Sequence, residues 1–383
     1  MVLASAAAAQ SADPGYTDGP KPSQPDAVSP PVRPEADPAA RPSDLGPQVA
    51  IAHRLIDAAG AFDGYMHRAA TIDGKFTDGA GVARAVEMGS VYQPRQLEEG
   101  AIAYAALVAL QDPEFVAAIQ RVGRDPRARE AFAARLVEHP ELVFNAGEGR
   151  RAATRVSAVL GDLGVKLVVA GAAVKKAAYD VQSQDWSRGP ISGSERRLAR
   201  IKAESSVPVS LAGADTAHLV SNLVALRSDD GDSAEAQSAT RVVTQGLALA
   251  ALAVLGEAGD DKMEAIAPLL VDDSDEQCLN LAKLNEFQCL AVAGPHYEDM
   301  FCLGRHAMMD PGQCVAAAAG VADAVEHILV DPKSVAVPIA VASAETTERD
   351  GVLNAPVSRG VSVPMAVLAP PENYSPYTGP VHN

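Results

Sequence analysis

The stretch Asp272–Cys314, DDSDEQCLNLAKLNEFQCLAVAGPHYEDMFCLGRHAMMDPGQC, contains all four cysteines of the 383-residue chain: Cys278, Cys289, Cys302 and Cys314. An even, clustered set argues for two disulfides. Structural zinc usually takes paired ligands two to four residues apart, whereas these cysteines fall at intervals of 11, 13 and 12. The spacing also constrains connectivity. If Asp275 to Leu290 is one helix, Cys278 and Cys289 share a face but lie about 16 Å apart along its axis, beyond the roughly 7 Å that a disulfide spans between Cα atoms. Gly294-Pro295 breaks that helix, and Tyr297 to Met308 is expected to run back beside it. This geometry favours nested pairs, Cys289 with Cys302 and Cys278 with Cys314. Pairing in chain order requires an interruption in the first helix and stays open.

The same stretch holds the densest set of ionisable and ligating side chains. His296, Glu298, Asp299 and His306 form the candidate polar site, and Glu298, Asp299 and His306 are the local candidates for acid–base chemistry. His296, Met300, His306 and Met309 offer the imidazole and thioether groups that suit copper. They do not fall on one helical face, so the expectation is a stapled hairpin whose methionines fill core gaps, with no metal and no cofactor.

The cysteine pattern, C-x10-C followed by C-x11-C, is similar in form to the twin-cysteine helical hairpins exported to oxidising compartments, whose spacings are usually a little shorter. The likeness covers about a tenth of the chain and rests on the cysteines alone. It implies a staple, not an activity.

Outward from this stretch, the chain reads as helical. Ile51, Leu55, Ala58, Phe62, Met66 and Ala69 recur at helical spacing; the lone His53 and His67 on that helix are read as solvated or boundary residues. A helix begins at Pro94, and two more follow Asp112-Pro113 and Asp125-Pro126, where Asp caps and Pro fills the first turn. Gly147 to Trp186 reads as one long helix whose Gly161, Gly164 and Gly171 imply close backbone contact with a neighbour. Ser192 and Glu195 have capping-box spacing, as do Asp232 and Glu235 ahead of a helix ending near Gly256. The acidic runs Asp229–Asp232, Asp260-Asp261 and Asp272–Glu276 each precede a helix, where negative charge suits the N-terminal dipole.

Forty-nine acids against 32 bases give a net charge of −17, which argues against nucleic acid and anionic membranes as general partners. The charge is uneven: residues 145–202 carry eleven Lys or Arg against five acids. Those cations are expected to complement acidic segments of the same molecule or of a second copy, the alternative being that they face an anionic envelope polymer. With aromatics at only 4%, the core must be built mainly from Ala, Val and Leu. The apolar runs near Ala158–Ala173 and Gly246–Gly256 fall short of the about 20 residues of a membrane span, so no transmembrane segment is expected. Met1–Gln10 looks like the tail of a secretory signal with an Ala-x-Ala site ending at Ala9, and ten of the 27 prolines lie between Pro14 and Pro47.

These readings give an all-α protein: a multi-helix array or bundle with a disulfide-stapled hairpin near the C-terminal third and Pro-rich irregular tails. Residues 1–47 are a signal remnant and unstructured linker, 48–187 an N-terminal helical region, 188–330 a C-terminal helical region with the four-cysteine hairpin, and 331–383 an extended, irregular tail. The functional expectation is an exported bacterial protein, periplasmic or secreted, acting in structure or protein–protein contact at the cell envelope. Its partner would be a protein or another envelope component, with a homo-oligomer among the candidates. The alternatives are an enzyme acting on an envelope polymer and a metal-binding module at the Cys/His/Met hairpin. No nucleophile elbow, phosphate loop or zincin motif names a catalytic residue.

Overall fold

The computed structural model describes residues 49–209, 213–227, 239–323 and 325. The leader and linker, the tail, and the acidic run Asp229–Asp232 with the Asp232/Glu235 cap lie outside the described residues. Within them the chain is all-α, with isolated backbone bridges Ile51–Ala258 and Pro190–Pro295 in place of strands.

In chain order the helices are α1 (His53–Ala70), α2 (Gly79–Ser90), α3 (Pro94–Ala109), α4 (Pro113–Val122), α5 (Pro126–Glu138), α6 (Gly149–Asp180), α7 (Ser194–Ser205), α8 (Gly213–Arg227), α9 (Arg241–Val254), α10 (Met263–Ile266), α11 (Asp273–Val292), α12 (His296–Cys302) and α13 (Asp310–Ala318). A π-helical turn, Leu303–Met309, joins the last two. Side-chain caps set several of these starts. Asp112 accepts from the N–H groups of Glu114 and Phe115, Asp125 from Arg127 and Ala128, and Asp272 from Ser274 and Asp275. The cap of α9 is Thr240, whose hydroxyl accepts from Val243 N–H and donates to the Ala318 carbonyl, tying α9 to the end of α13. The Ser192–Glu195 box does not form. Gly193, at φ 69°, takes the cap position, and α7 begins one residue later.

α6 is shorter than its sequence pattern at both ends. Gly147 and Glu148 both have positive φ, with Glu148 in the left-handed helical conformation before α6. After Asp180 the chain turns, with the Ser187 hydroxyl donating to the carbonyls of Val181 and Gln184. By length and composition α6 could cross a membrane, and α3 with α4 qualify only as a broken span bent by 90°. In this fold α6 packs against α1, α3, α9, α12, the π-helical turn and α13.

One apolar core joins the two expected helical regions, from Leu55, Phe62 and Ile102 through Leu247 to Met300 and Leu303. Alanines line much of it, most densely in α3 and α9, so backbones approach closely. Backbones also approach closely along α6. A Cβ on Gly164 would stand 2.8 Å from the Gly312 carbonyl oxygen, and one on Gly171 would stand 2.7 Å from that of Gly304. A Cβ on Gly304 would lie 2.5 Å from Lys175 N and 2.6 Å from the Gly171 carbonyl oxygen. These obstacles are backbone and cannot rotate away. Gly304→Ala should therefore lower stability by about 3 kcal/mol, read as a shifted urea midpoint at unchanged m value; an unshifted midpoint would show that the two helices separate at no cost.

The disulfides are nested. Cys278 pairs with Cys314 and Cys289 with Cys302, at Cα separations of 5.8 and 5.6 Å. Proline shapes the returning arm between them: Pro311 has no N–H to donate to Ala307 four residues earlier. The buried Tyr65 hydroxyl donates to that carbonyl instead, at 2.8 Å.

Candidate functional site

The four polar residues picked from the sequence are near one another in the chain but serve separate contacts. Glu298 folds back to accept the Gly294 N–H at 2.8 Å, bracing the break between α11 and α12. Asp299 is fully buried and accepts from Arg197 of α7 at 2.7 Å. Burial raises its carboxyl above the ordinary range, and the guanidinium holds it back down in part. The His296 ring lies on Gly79, where a Cβ would stand 2.2 Å from Nε2, and also near Gly189; its buried Nδ1 has no hydrogen-bond partner. His306 pairs with Asp310 at 2.8 Å, one turn along. Met300, Met308 and Met309 are buried in packed surroundings. Among the described residues no group of three or more His, Cys, Asp or Glu is arranged to hold a metal.

The basic middle of the chain spends many of its charges inside the molecule. Arg151 reaches Asp112 and Glu114, Arg197 reaches Asp299, and Arg200 reaches Glu87. Lys166 and Lys176 pair along α6 with Asp162 and Asp180.

The more chemically distinctive site was not picked out in the sequence. The starts of α9 and α11 and the end of α13 enclose an open cavity of about 430 Å³, within the size range of small-ligand pockets. Its polar wall is the first turn of α11 with its cap, Asp272–Asp275; its apolar wall is Val242, Ala317, Ala318 and the Cys278–Cys314 bridge. Thr240 and Arg241 complete it. Asp272 is spoken for on both oxygens: Oδ1 caps α11, and Oδ2 lies 3.8 Å from Arg241 Nε. Asp275 is different. It is 6% exposed, and neither carboxylate oxygen has a hydrogen-bond partner.

The charge that acts most on Asp275 is Glu98 of α3, 0% exposed. Its Oε1 accepts the Asp272 backbone N–H, while Oε2 has no partner. Burial and then neighbouring charge, chiefly Glu98, push Asp275 up to about 7. Burial likewise carries Glu98 to about 7, against the pull of the Asp272 N–H. Both carboxyl groups are raised toward neutrality and their unpaired oxygens are closed off from solvent; perturbed carboxyls of this kind cluster at functional sites and occur also in structural networks. Arg241 also borders a second recess of about 750 Å³, with Glu138, Glu141, Thr244 and Gln245. The Gln245 amide there donates to Val271 at 2.8 Å and leaves its buried oxygen unpaired.

The sequence did carry a signal for this site. Glu98 lies four and seven residues before the buried Ile102 and Ala105, and Asp275 four and seven before Leu279 and Ala282. Each is a charge set in an apolar stripe.

Other buried charges have partners that explain them. Lys283 donates to Glu286 at 2.9 Å and to the Ser90 carbonyl at 2.6 Å, and sits 3.3 Å from the Tyr92 ring centroid; burial lowers its pKa. Asp63 accepts from Asn222 at 2.9 Å and pairs with His218 at 2.6 Å, seating α8 on α1. The His67 ring lies 4.0 Å from that of His218, and its pKa falls, first through burial and then through the neighbouring imidazole.

No protein-family model, curated protein sequence or solved structure matches this chain.

Proposed function

We propose that this is an exported envelope protein that works through contacts of its helical surface, with α6 as a core helix. The carrying observation is how the disulfides are used. All four cysteines are consumed, both bridges fasten α11, and such pairs are characteristic of oxidising compartments. The face that α11 turns outward bears Leu281, Leu284 and Val292, exposed by 56%, 51% and 82%. Between and before them stand Gln277, Asn280 and Gln288, so from Gln277 onward the outward row is uncharged.

The partner this row suits is a second copy of the chain. At −17, two copies repel one another over most approaches. An uncharged row is the face on which they can meet with least repulsion, and a self-complementary patch closes as a two-fold dimer. Expression in a bacterial host with the native N-terminus, followed by fractionation and non-reducing peptide mapping, should place the protein outside the cytoplasm with the nested bridges; free thiols in a cytoplasmic product would overturn the export reading. Light scattering should show a concentration-dependent dimer that the double variant Leu281→Glu, Leu284→Glu abolishes, and a monomer at all concentrations would end the second-copy reading.

A further inference from the structure

Helix α8 carries no Asp, Glu, Lys or Arg from Thr216 to Leu226, and its hold on the rest of the molecule is narrow. Among its described side chains only Leu219 is buried, with Leu223 and Leu226 half-buried, while Val220 and Val224 face outward. The rest of the hold is a polar clasp. The buried Asp63 carboxylate of α1 lies 2.6 Å from His218 Nδ1 on one oxygen and accepts from Asn222 at 2.9 Å on the other. α1 itself is anchored in the core through Leu55, Phe62 and Met66. Segments with few buried apolar contacts open first, so a force between the two helices moves α8.

Such a force is built into the clasp. The His67 ring of α1 lies 4.0 Å from the His218 ring, and imidazole is the side chain that ordinarily gains its charge between about pH 8 and pH 5. One carboxylate balances one imidazolium. Two imidazolium rings this close leave uncompensated like charges at the joint between the helices. Among the described residues the charges that act on His67 are Asp63 and Arg68 of α1 and His218 of α8; α2, α3 and α6, which pack on α1 or α8, contribute none there. On α3, Arg95 pairs with Glu99, as does Arg54 of α1, and Glu98 is turned to the Asp272 backbone. Asp162 of α6 acts, with Asp63, on Tyr104.

We propose that α8 is an acid-released helix, seated on α1 by the Asp63 clasp at neutral pH and pushed off when His67 and His218 both carry a proton. Release bares Leu219 and adds apolar surface to the outside of the molecule. In the unfolded chain His67 takes up its proton near the ordinary 6.5, whereas in the fold burial, and then the His218 ring, hold it lower against the pull of Asp63. A base whose pKa is lowered by folding contributes stability that is complete above its unfolded value and is lost as pH falls through the folded one. The seat of α8 therefore weakens below about pH 6.5. Asp275 and Glu98 act in the opposite sense, strengthening the fold as pH falls, so a loss confined to α8 is not their work.

The test is amide hydrogen exchange on the oxidised full chain at pH 7.5 and pH 5.5, with labelling times scaled for the intrinsic exchange rate and α9, in the core, as internal reference. Protection of the α8 amides should fall by roughly tenfold at the lower pH while that of α9 holds. His67→Gln, a change at an exposed position, should keep α8 protected at both pH values. His218→Gln weakens the clasp, and its lower protection should no longer depend on pH. Equal α8 protection of the wild type at the two pH values, a loss that α9 shares, or a loss that survives His67→Gln would each overturn the proposal.

Discussion

Replacing Cys278 and Cys314 by alanine should lower the stability of the oxidised protein by about 3–4 kcal/mol, and replacing Cys289 and Cys302 by about 3 kcal/mol, on the loop-entropy model. The bridges close 36 and 13 residues. Most of the effect acts on the unfolded chain, which regains freedom when the link is cut. Because the inner bridge already shortens the path inside the outer one, the two contributions do not add in full. The variants should differ in more than magnitude. The outer bridge forms part of the cavity wall, so its loss also loosens the seam between α11 and α13 where Asp275 is held. The inner bridge fastens α11 to α12, away from that cavity. Urea unfolding of both double variants checks the order, and equal midpoints with wild type would mean that packing alone holds α11 in place.

Asp275→Asn should make the protein more stable at pH 8 and leave it unchanged at pH 4. In the unfolded chain this aspartate ionises near its ordinary value of 3.8, whereas in the fold it keeps its proton up to about 7. A pKa raised by folding contributes stability that is fully present below the unfolded value and is lost as pH climbs to the folded one. Wild type therefore weakens between about pH 4 and pH 7, and the amide does not share this loss. The full difference, reached above about pH 7, is of order 3–4 kcal/mol. Glu98→Gln should follow the same course from its ordinary 4.5. Melting curves at pH 4, 6 and 8 measure it. A variant that is less stable than wild type at pH 8 would mean that Asp275 has a stabilising partner, and the cavity would lose its unpaired anion.

The parts of the fold legible in the sequence are those governed by local rules. Asp112-Pro113 and Asp125-Pro126 announce helix starts because cap and first turn are adjacent in the chain. Gly164 and Gly171 point to close approach because a glycine that weakens a helix interior is compensated by contact with a neighbouring backbone; a hinge or an oligomer contact is the other reading. The nested disulfides are favoured, with pairing in chain order left open, because helical rise keeps Cys278 from Cys289 only if α11 is unbroken, as it is. Thr240 was obscured by the Asp232/Glu235 pattern a few residues before it, and Gly193 by the better-looking Ser192. The polar group at His296, Glu298, Asp299 and His306 looked like a site because density along a chain resembles proximity in space. On a helix, neighbours in sequence point apart, and these four face Gly79, Gly294, Arg197 and Asp310. Glu98 and Asp275 are 177 residues apart, and only tertiary packing brings them together.

The π-helical turn accounts for the unequal cysteine spacing. Along α11, eleven residues at about 100° each advance about 1100°, three turns and a little over, so Cys278 and Cys289 point the same way. Twelve residues of plain α-helix between Cys302 and Cys314 would advance about 1200° and turn the second thiol a third of a circle away from its partner. Seven of those residues are wound instead at roughly 4.4 per turn, which brings the total to about 1075° and restores the phase. The wide turn thus absorbs the one residue by which C-x11-C exceeds C-x10-C. A chain with this hairpin should therefore take one of two forms: C-x10-C in both arms with an unbroken return helix, or C-x11-C in the second arm with a widened turn between the cysteines.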